Sequence, residues 1–206
     1  MFILYFLISP LTTISDLIQI SPQDFEKPSV QALKDNINKK YSNKVIQKIG
    51  LCICFFDLLK SSEGLIGHGT GIVNVNVEFR MVVFRPFKGE IIQGKIKHCN
   101  ITGITIHLDF FSDIFIPAPV NLFEGVRFNN AENVWVWDTD SAELFFDVEE
   151  VVRFRVESEQ WEDQSPQHPL RRDENEERNS PYRIVGSMSQ AGLGPLLWWD
   201  DSAVEE

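Results

Sequence analysis

Ile72-Val73-Asn74-Val75-Asn76-Val77-Glu78-Phe79-Arg80-Met81-Val82-Val83-Phe84 is the stretch on which the fold turns. Val73, Val75, Val77, Phe79, Met81 and Val83 fall on one side, and Asn74, Asn76, Glu78 and Arg80 on the other, the period-two pattern of a strand with one buried face. Arg85-Pro86-Phe87-Lys88-Gly89 follows. Proline donates nothing to a sheet ladder, so the strand should end or change partners there. A domain boundary is therefore expected at about residue 85, dividing the chain into residues 1–85 and 86–206.

Upstream of that strand, Ile14 to Ile20 reads as another strand and Ser21-Pro22 as a turn. Ser29 then opens an amphipathic helix with Val30, Leu33, Ile37 and Tyr41 on the apolar stripe and Lys34, Asp35, Lys39 and Lys40 on the polar one. Ile49 to Phe56 is nearly all apolar, which predicts a strand buried on both faces. Downstream, short strands are expected at Glu90 to Lys97, Gly103 to Asp109, Asp113 to Ile116, Val134 to Trp137, Leu144 to Phe146, Val151 to Val156 and Tyr182 to Met188. Many short strands with almost no helix point to a small barrel. Between them, Glu157 to Pro181 is charged and polar and lacks the apolar surface to be ordered by itself.

Charge excludes one class of function. The chain has 206 residues with 19 Lys plus Arg against 30 Asp plus Glu, and the imbalance is uneven: residues 1–85 carry a net +2 and residues 86–206 a net −13. A tight, sequence-independent nucleic-acid binder draws its affinity from a basic surface, which this balance does not supply. A local basic face remains possible. Three cysteines define no disulfide framework and fit a reducing compartment. Met1 to Ile8 is apolar, but it lacks a basic flank and a small-residue cleavage pattern and falls far short of the ~20 residues a bilayer requires, so neither export nor a membrane is expected.

Candidate sites are few. Glu63-Gly64-Leu65-Ile66-Gly67-His68-Gly69-Thr70-Gly71 has the glycines of a phosphate loop, but Thr70 stands where a lysine is needed and a strand follows. Two readings are left for it: a flexible connection, with His68 a turn residue, or an exposed loop that inserts into a partner. Cys52 and Cys54, two apart on a strand, should share a face, and without a second ligand pair they read as buried core thiols rather than a metal site. His98, Cys99 and His107 are isolated, and no Ser, His and Asp set stands in a nucleophile motif. No catalytic residue, metal or cofactor is expected. Lys88, Lys95 and Lys97, with Arg80 and Arg85, form the one basic concentration around the joint and the first barrel strand. They read equally as a nucleic-acid face or as a solvated edge that discourages strand pairing.

Several ordered motifs together resemble one family. Asp16-Leu17-Ile18-Gln19-Ile20-Ser21-Pro22, Gly64 to Gly71, Val83-Phe84-Arg85-Pro86-Phe87-Lys88-Gly89-Glu90, Gly186-Ser187-Met188, Gly192-Leu193-Gly194 and Trp198-Trp199 resemble the larger stalk subunit of DNA-dependent RNA polymerases, and most of all its eukaryotic RNA polymerase III form. The chain departs from that pattern in carrying about nine extra residues, Tyr5 to Thr13, before the segment that begins at Ile14.

The resemblance implies an α+β protein: an N-terminal α/β tip domain over residues 1–85 that docks on the polymerase core, then a C-terminal all-β OB-type barrel over 86–206, interrupted at about 157–181. It implies a non-catalytic nuclear subunit whose partners are the RNA polymerase III core, the smaller stalk subunit and, weakly, nascent RNA. Glu63, Gly64, Gly67, His68, Gly69, Thr70 and Gly71 match the family's core-docking loop, and Lys88, Lys95 and Lys97 the start of its nucleic-acid face. Where related barrels place a stacking aromatic, this chain has Thr105, with Phe110 and Phe111 close by as partial replacements. The alternative is a free-standing OB-fold RNA-binding factor in translation or decay.

Overall fold

The computed structural model describes residues 10–139, 142–163 and 180–199, in two compact units that divide between Pro86 and Phe87. In the first unit, β1 (Leu11–Ile20) leads through a short 3-10 turn into α1 (Ser29–Tyr41), followed by β2 (Lys44–Ile46), β3 (Gly50–Ser61), β4 (Leu65–Ile66) and β5 (Val73–Phe84). The sheet order is β1-β5-β3-β2, with β4 also on β5, and every pairing is antiparallel. The tip expected as α/β is thus one helix laid on an antiparallel sheet. Leu11 to Thr13, within the extra segment, pair with Val82, Met81 and Arg80 as the first rungs of β1.

The alternation in β5 does what its period implies. Val75, Val77, Phe79, Met81 and Val83 are at most 6% exposed and pack with Ile18, Ile20 and Cys52 under Ala32, Leu33 and Ile37 of α1. Val30, expected on the helix's apolar stripe, is 61% exposed, and Ala32 takes the core position instead. Polar bonds pin the helix from both sides: Lys40 and Tyr41 donate to the Asp16 carboxylate on β1, and Phe55 N donates to Asn38 Oδ1 at 2.8 Å. The Ile49–Phe56 run is not buried on both faces. The register of β3 against β5 shifts between Cys52 and Cys54, again between Phe55 and Asp57, and between Leu58 and Lys60. Each bulge inserts a residue and turns the following side chain over, so Cys52 is buried while Cys54 is exposed and Phe56 is 53% exposed.

The second unit contains β6 (Ile91–Asn100), β7 (Gly103–Leu108), β8 (Phe111–Pro117), β9 (Val126–Asn129), β10 (Val134–Asp138), β11 (Glu143–Phe145), β12 (Val151–Trp161), β13 (Tyr182–Ser187) and β14 (Gly194–Pro195). β6 pairs with β7, β7 with β8, β8 with β13, β13 with β12 and β12 with β6, which closes a five-stranded barrel. The β8–β13 pair is parallel and the rest are antiparallel. Ile92, Ile96, Ile104, Ile106, Ile114, Ile116, Val152, Phe154 and Ile184 fill the interior at 4% exposure or less. A separate three-stranded sheet, β11-β10-β9, carries Trp137, which stacks on Phe123 at 4.2 Å between ring centres. Trp198 closes on both rings and meets Phe146 edge-on at 4.8 Å, so the chain's last described turn packs into an aromatic cluster. Trp199 Nε1 fixes that turn by donating to Leu193 O at 2.7 Å.

β12 runs five residues beyond the expected end at Val156, because Ser158 to Trp161 find partners in Val185 to Tyr182. Glu157 to Trp161 are therefore ordered as strand, whereas 164–179 of the charged stretch lie outside the described residues.

Candidate docking hairpin and nucleic-acid face

All seven residues expected to dock lie in one hairpin. β3 ends at Ser61, Ser62 N donates to Asn76 O at 2.9 Å, and β4 then continues along β5 through the pairs Leu65–Asn74 and Ile66–Val73. Gly67 N donates to Ile72 O at 2.8 Å and closes the turn. Thr70 holds it from inside, its Oγ1 accepting from Ile72 N and donating to Gly67 O, both at 3.4 Å. Gly69 and Gly71 have φ of 77° and 65°, the left-handed region that L side chains adopt only under strain. A Cβ at Gly69 would touch nothing, so that glycine serves backbone shape and not packing. The loop is thus a bonded turn rather than a loose connection. Glu63, His68, Gly69, Thr70 and Gly71 are exposed and Gly67 is partly so. The residues that sequence reasoning passed over are Leu65 and Ile66, 69% and 72% exposed at the hairpin's edge. Two adjacent bare aliphatics on a strand edge are what a protein partner would cover, and their apolar character was legible inside the glycine run.

On the barrel, Lys88 stands in the turn before β6, and Lys95 and Lys97 lie exposed on β6 itself. The β6–β7 register shifts between Ile96 and His98, which places Lys97 at a bulge. Lys95 is paired with His107 on β7 and Val151 on β12. Among the described residues Lys88, Lys95, Lys97 and Arg153 make no ion pair, whereas Arg127 is held by Asp138 and Glu143, and Arg155 by Glu157. The free cations of the barrel are therefore a subset that includes all three expected lysines. His107, the β7 partner of Lys95, has Glu149 Oε1 3.8 Å from its Nε2.

The two phenylalanines separate. Phe110 is 44% exposed at the β7–β8 turn, but Phe111 is 7% exposed with its ring 5.6 Å from that of Tyr182. As first residue of β8, Phe111 points inward with Ile114 and Ile116, so it belongs to the barrel's packing and not to an exposed binding face. Arg153 and Phe115, which sequence reasoning did not single out, also face outward from the barrel. Their signal was parity: Val152 and Phe154 inside leave Arg153 outside, and Ile114 and Ile116 inside leave Phe115 outside. Among the described residues no group of three or more His, Cys, Asp or Glu is placed to hold a metal ion.

Two family models match the chain in register with its two units. The SHS2 domain found in the N terminus of Rpb7p/Rpc25p/MJ0397 matches residues 15–71, and RNA polymerase III subunit Rpc25 matches residues 90–199. DNA-directed RNA polymerase III subunit rpc8 of Schizosaccharomyces pombe is 44% identical over 200 residues, covering 92% of this chain and 98% of the relative. The RPC8 subunits of Bos taurus and Saccharomyces cerevisiae are 40% and 39% identical, covering 93% and 92% of this chain and 98% and 99% of those relatives. With an SHS2-type unit followed by a closed barrel, and with near-complete alignment to these relatives, the chain belongs to the Rpc25 family of RNA polymerase III subunits.

Proposed function

We propose that this chain is a non-catalytic, nuclear stalk subunit of RNA polymerase III that works by binding at three places. Its hairpin docks on the polymerase core, the chain pairs with the smaller stalk subunit, and its barrel touches nascent RNA weakly. The free-standing RNA-binding factor is set aside by family membership across both units. The observation that carries the RNA part is the strand circuit β6-β7-β8-β13-β12 with its parallel β8–β13 pair, which we read as an OB-type barrel, together with unpaired lysines on its first strand. Such barrels bind oligonucleotides on an outer sheet face.

The electrostatics keep that binding weak. The barrel half is net −13, so few phosphates find partners. Titrating labelled single-stranded RNA at several salt concentrations tests this: the full chain should bind at micromolar affinity or weaker. Changing Lys88, Lys95 and Lys97 together to Ala should flatten the logarithmic salt slope by about 2, at ~0.7 per lost phosphate contact. Nanomolar binding by the lone chain, or an unchanged slope in the triple variant, would contradict the RNA reading.

A further inference from the structure

Phe115 and Arg153 both stand on the outer side of the barrel, each between two buried residues of its strand. Phe115 lies on β8 opposite Thr105 of β7 and beside Val185 of β13, on the outer side and partly exposed. Its ring reaches over Gly103: a Cβ there would stand 2.7 Å from Phe115 Cζ and 2.2 Å from Ile116 O, so only glycine admits this close approach. Thr105 in turn bonds His98 on β6, Oγ1 to Nε2 at 3.2 Å. His98, Thr105 and Phe115 thus form one cross-strand row, with an aromatic ring one strand away from the position where Thr105 supplies none.

Arg153 lies on β12 opposite Gln93, and the neighbouring pair is Val151 opposite Lys95. Arg153 and Lys95 are therefore diagonal neighbours on adjacent strands, a separation of about 7–8 Å. Arg153 makes no ion pair among the described residues, while Arg155, two positions on, is tied to both Glu157 and Gln190. A free guanidinium next to a free lysine suits a phosphate, which its planar fork grips with two hydrogen bonds.

We propose that Phe115 is the base-stacking platform and Arg153 a phosphate contact, so that single-stranded RNA crosses β8, β7, β6 and β12 instead of resting at the β7–β8 turn beside Phe110. The proposal rests on the RNA-binding reading and names its path. A stacked ring accepts any base, since every base has a π-face, so the site is tolerant of sequence. It also requires unpaired bases, and a duplex should bind less well than the same strand alone.

The test uses the full chain with a fluorescent oligouridylate. Phe115→Leu should weaken binding about five- to 150-fold with the salt slope unchanged, and Phe115→Tyr should restore it. Arg153→Gln should weaken binding and flatten the logarithmic slope by about 0.7. In case Phe115→Leu lowers barrel stability, 5-iodouridine crosslinking on the wild type provides a second arm, and the crosslinked peptide should contain Phe115. Either variant at wild-type affinity and slope overturns its assignment, as does a crosslink at Phe110 alone or equal binding of duplex. If the triple lysine variant loses binding but these two do not, the path is wrong and the RNA-binding reading stands. If the lysine variant also binds normally, that reading falls with it.

Discussion

Cys54 differs from Cys52 by one bulge, and the difference is chemical. A thiol reacts as thiolate and only where reagent reaches it. Cys52 and Cys99 are buried, burial raising the Cys52 thiol above its ordinary value and the Cys99 thiol to about 11. Titrating the native chain with a thiol reagent at pH 8 should give one fast equivalent, lost in Cys54→Ser, with two more released on denaturation. Two fast equivalents would mean that the bulge between Cys52 and Cys54 is misplaced. Glu150 supplies a second residue-scale outcome. Its Oε2 is buried without a hydrogen-bond partner among the described residues, and burial, aided by the charge of Asp147, pushes its pKa above the ordinary carboxylate value against a backbone bond that lowers it. A raised carboxyl contributes stability below its unfolded value and loses that contribution as pH rises through the folded one. Glu150→Gln should therefore raise the melting temperature at pH 7 and change it little at pH 4. A variant less stable at pH 7 would show that the charged form is favoured in the fold.

Elements follow the sequence where one period runs long enough to be unmistakable. Six alternating apolar positions placed β5 correctly, and the 3.6-residue spacing from Ser29 to Tyr41 marked α1 to its last residue, although Val30 points to water. Legibility ends where a single residue shifts parity. The run Ile49–Phe56 hides its bulges because both faces are apolar in composition, so no polar residue reports the slip. Phe110 and Phe111 are identical in type and opposite in burial, and only the start of β8 separates them. β9 escaped notice because four residues, Val126–Asn129, offer too little alternation. The docking turn was readable as glycines but not as a hairpin, since its closure depends on Gly67 and Ile72 meeting across it. Element geometry also governs the charged stretch. Glu162 N donates to Pro181 O at 3.1 Å, and Trp161 pairs with and stacks on Tyr182. The two strands already meet at that point, so replacing 164–179 by a short Gly-Ser turn should leave the melting temperature within a few degrees, loop length entering stability only logarithmically. A large drop would show that the removed residues support the barrel.

At the scale of the whole molecule, surface is divided by chemistry. The first unit offers exposed aliphatics on a hydrogen-bonded glycine hairpin, and the second offers cations without ion pairs among the described residues on an otherwise acidic barrel. Each suits binding, and each should fail separately when its own residues are changed. Docking on RNA polymerase III through the hairpin, proposed above, is measured by quantitative co-purification. Tagged wild-type chain should bring down the large polymerase III subunits in fixed ratio. Val at both Gly69 and Gly71 forces two β-branched residues into a positive-φ turn, at a cost on the order of 1–3 kcal/mol each. That variant should lose the polymerase while its barrel still binds RNA as before. Recovery of the polymerase at wild-type level by the variant, or its absence from the wild-type preparation, would contradict the account.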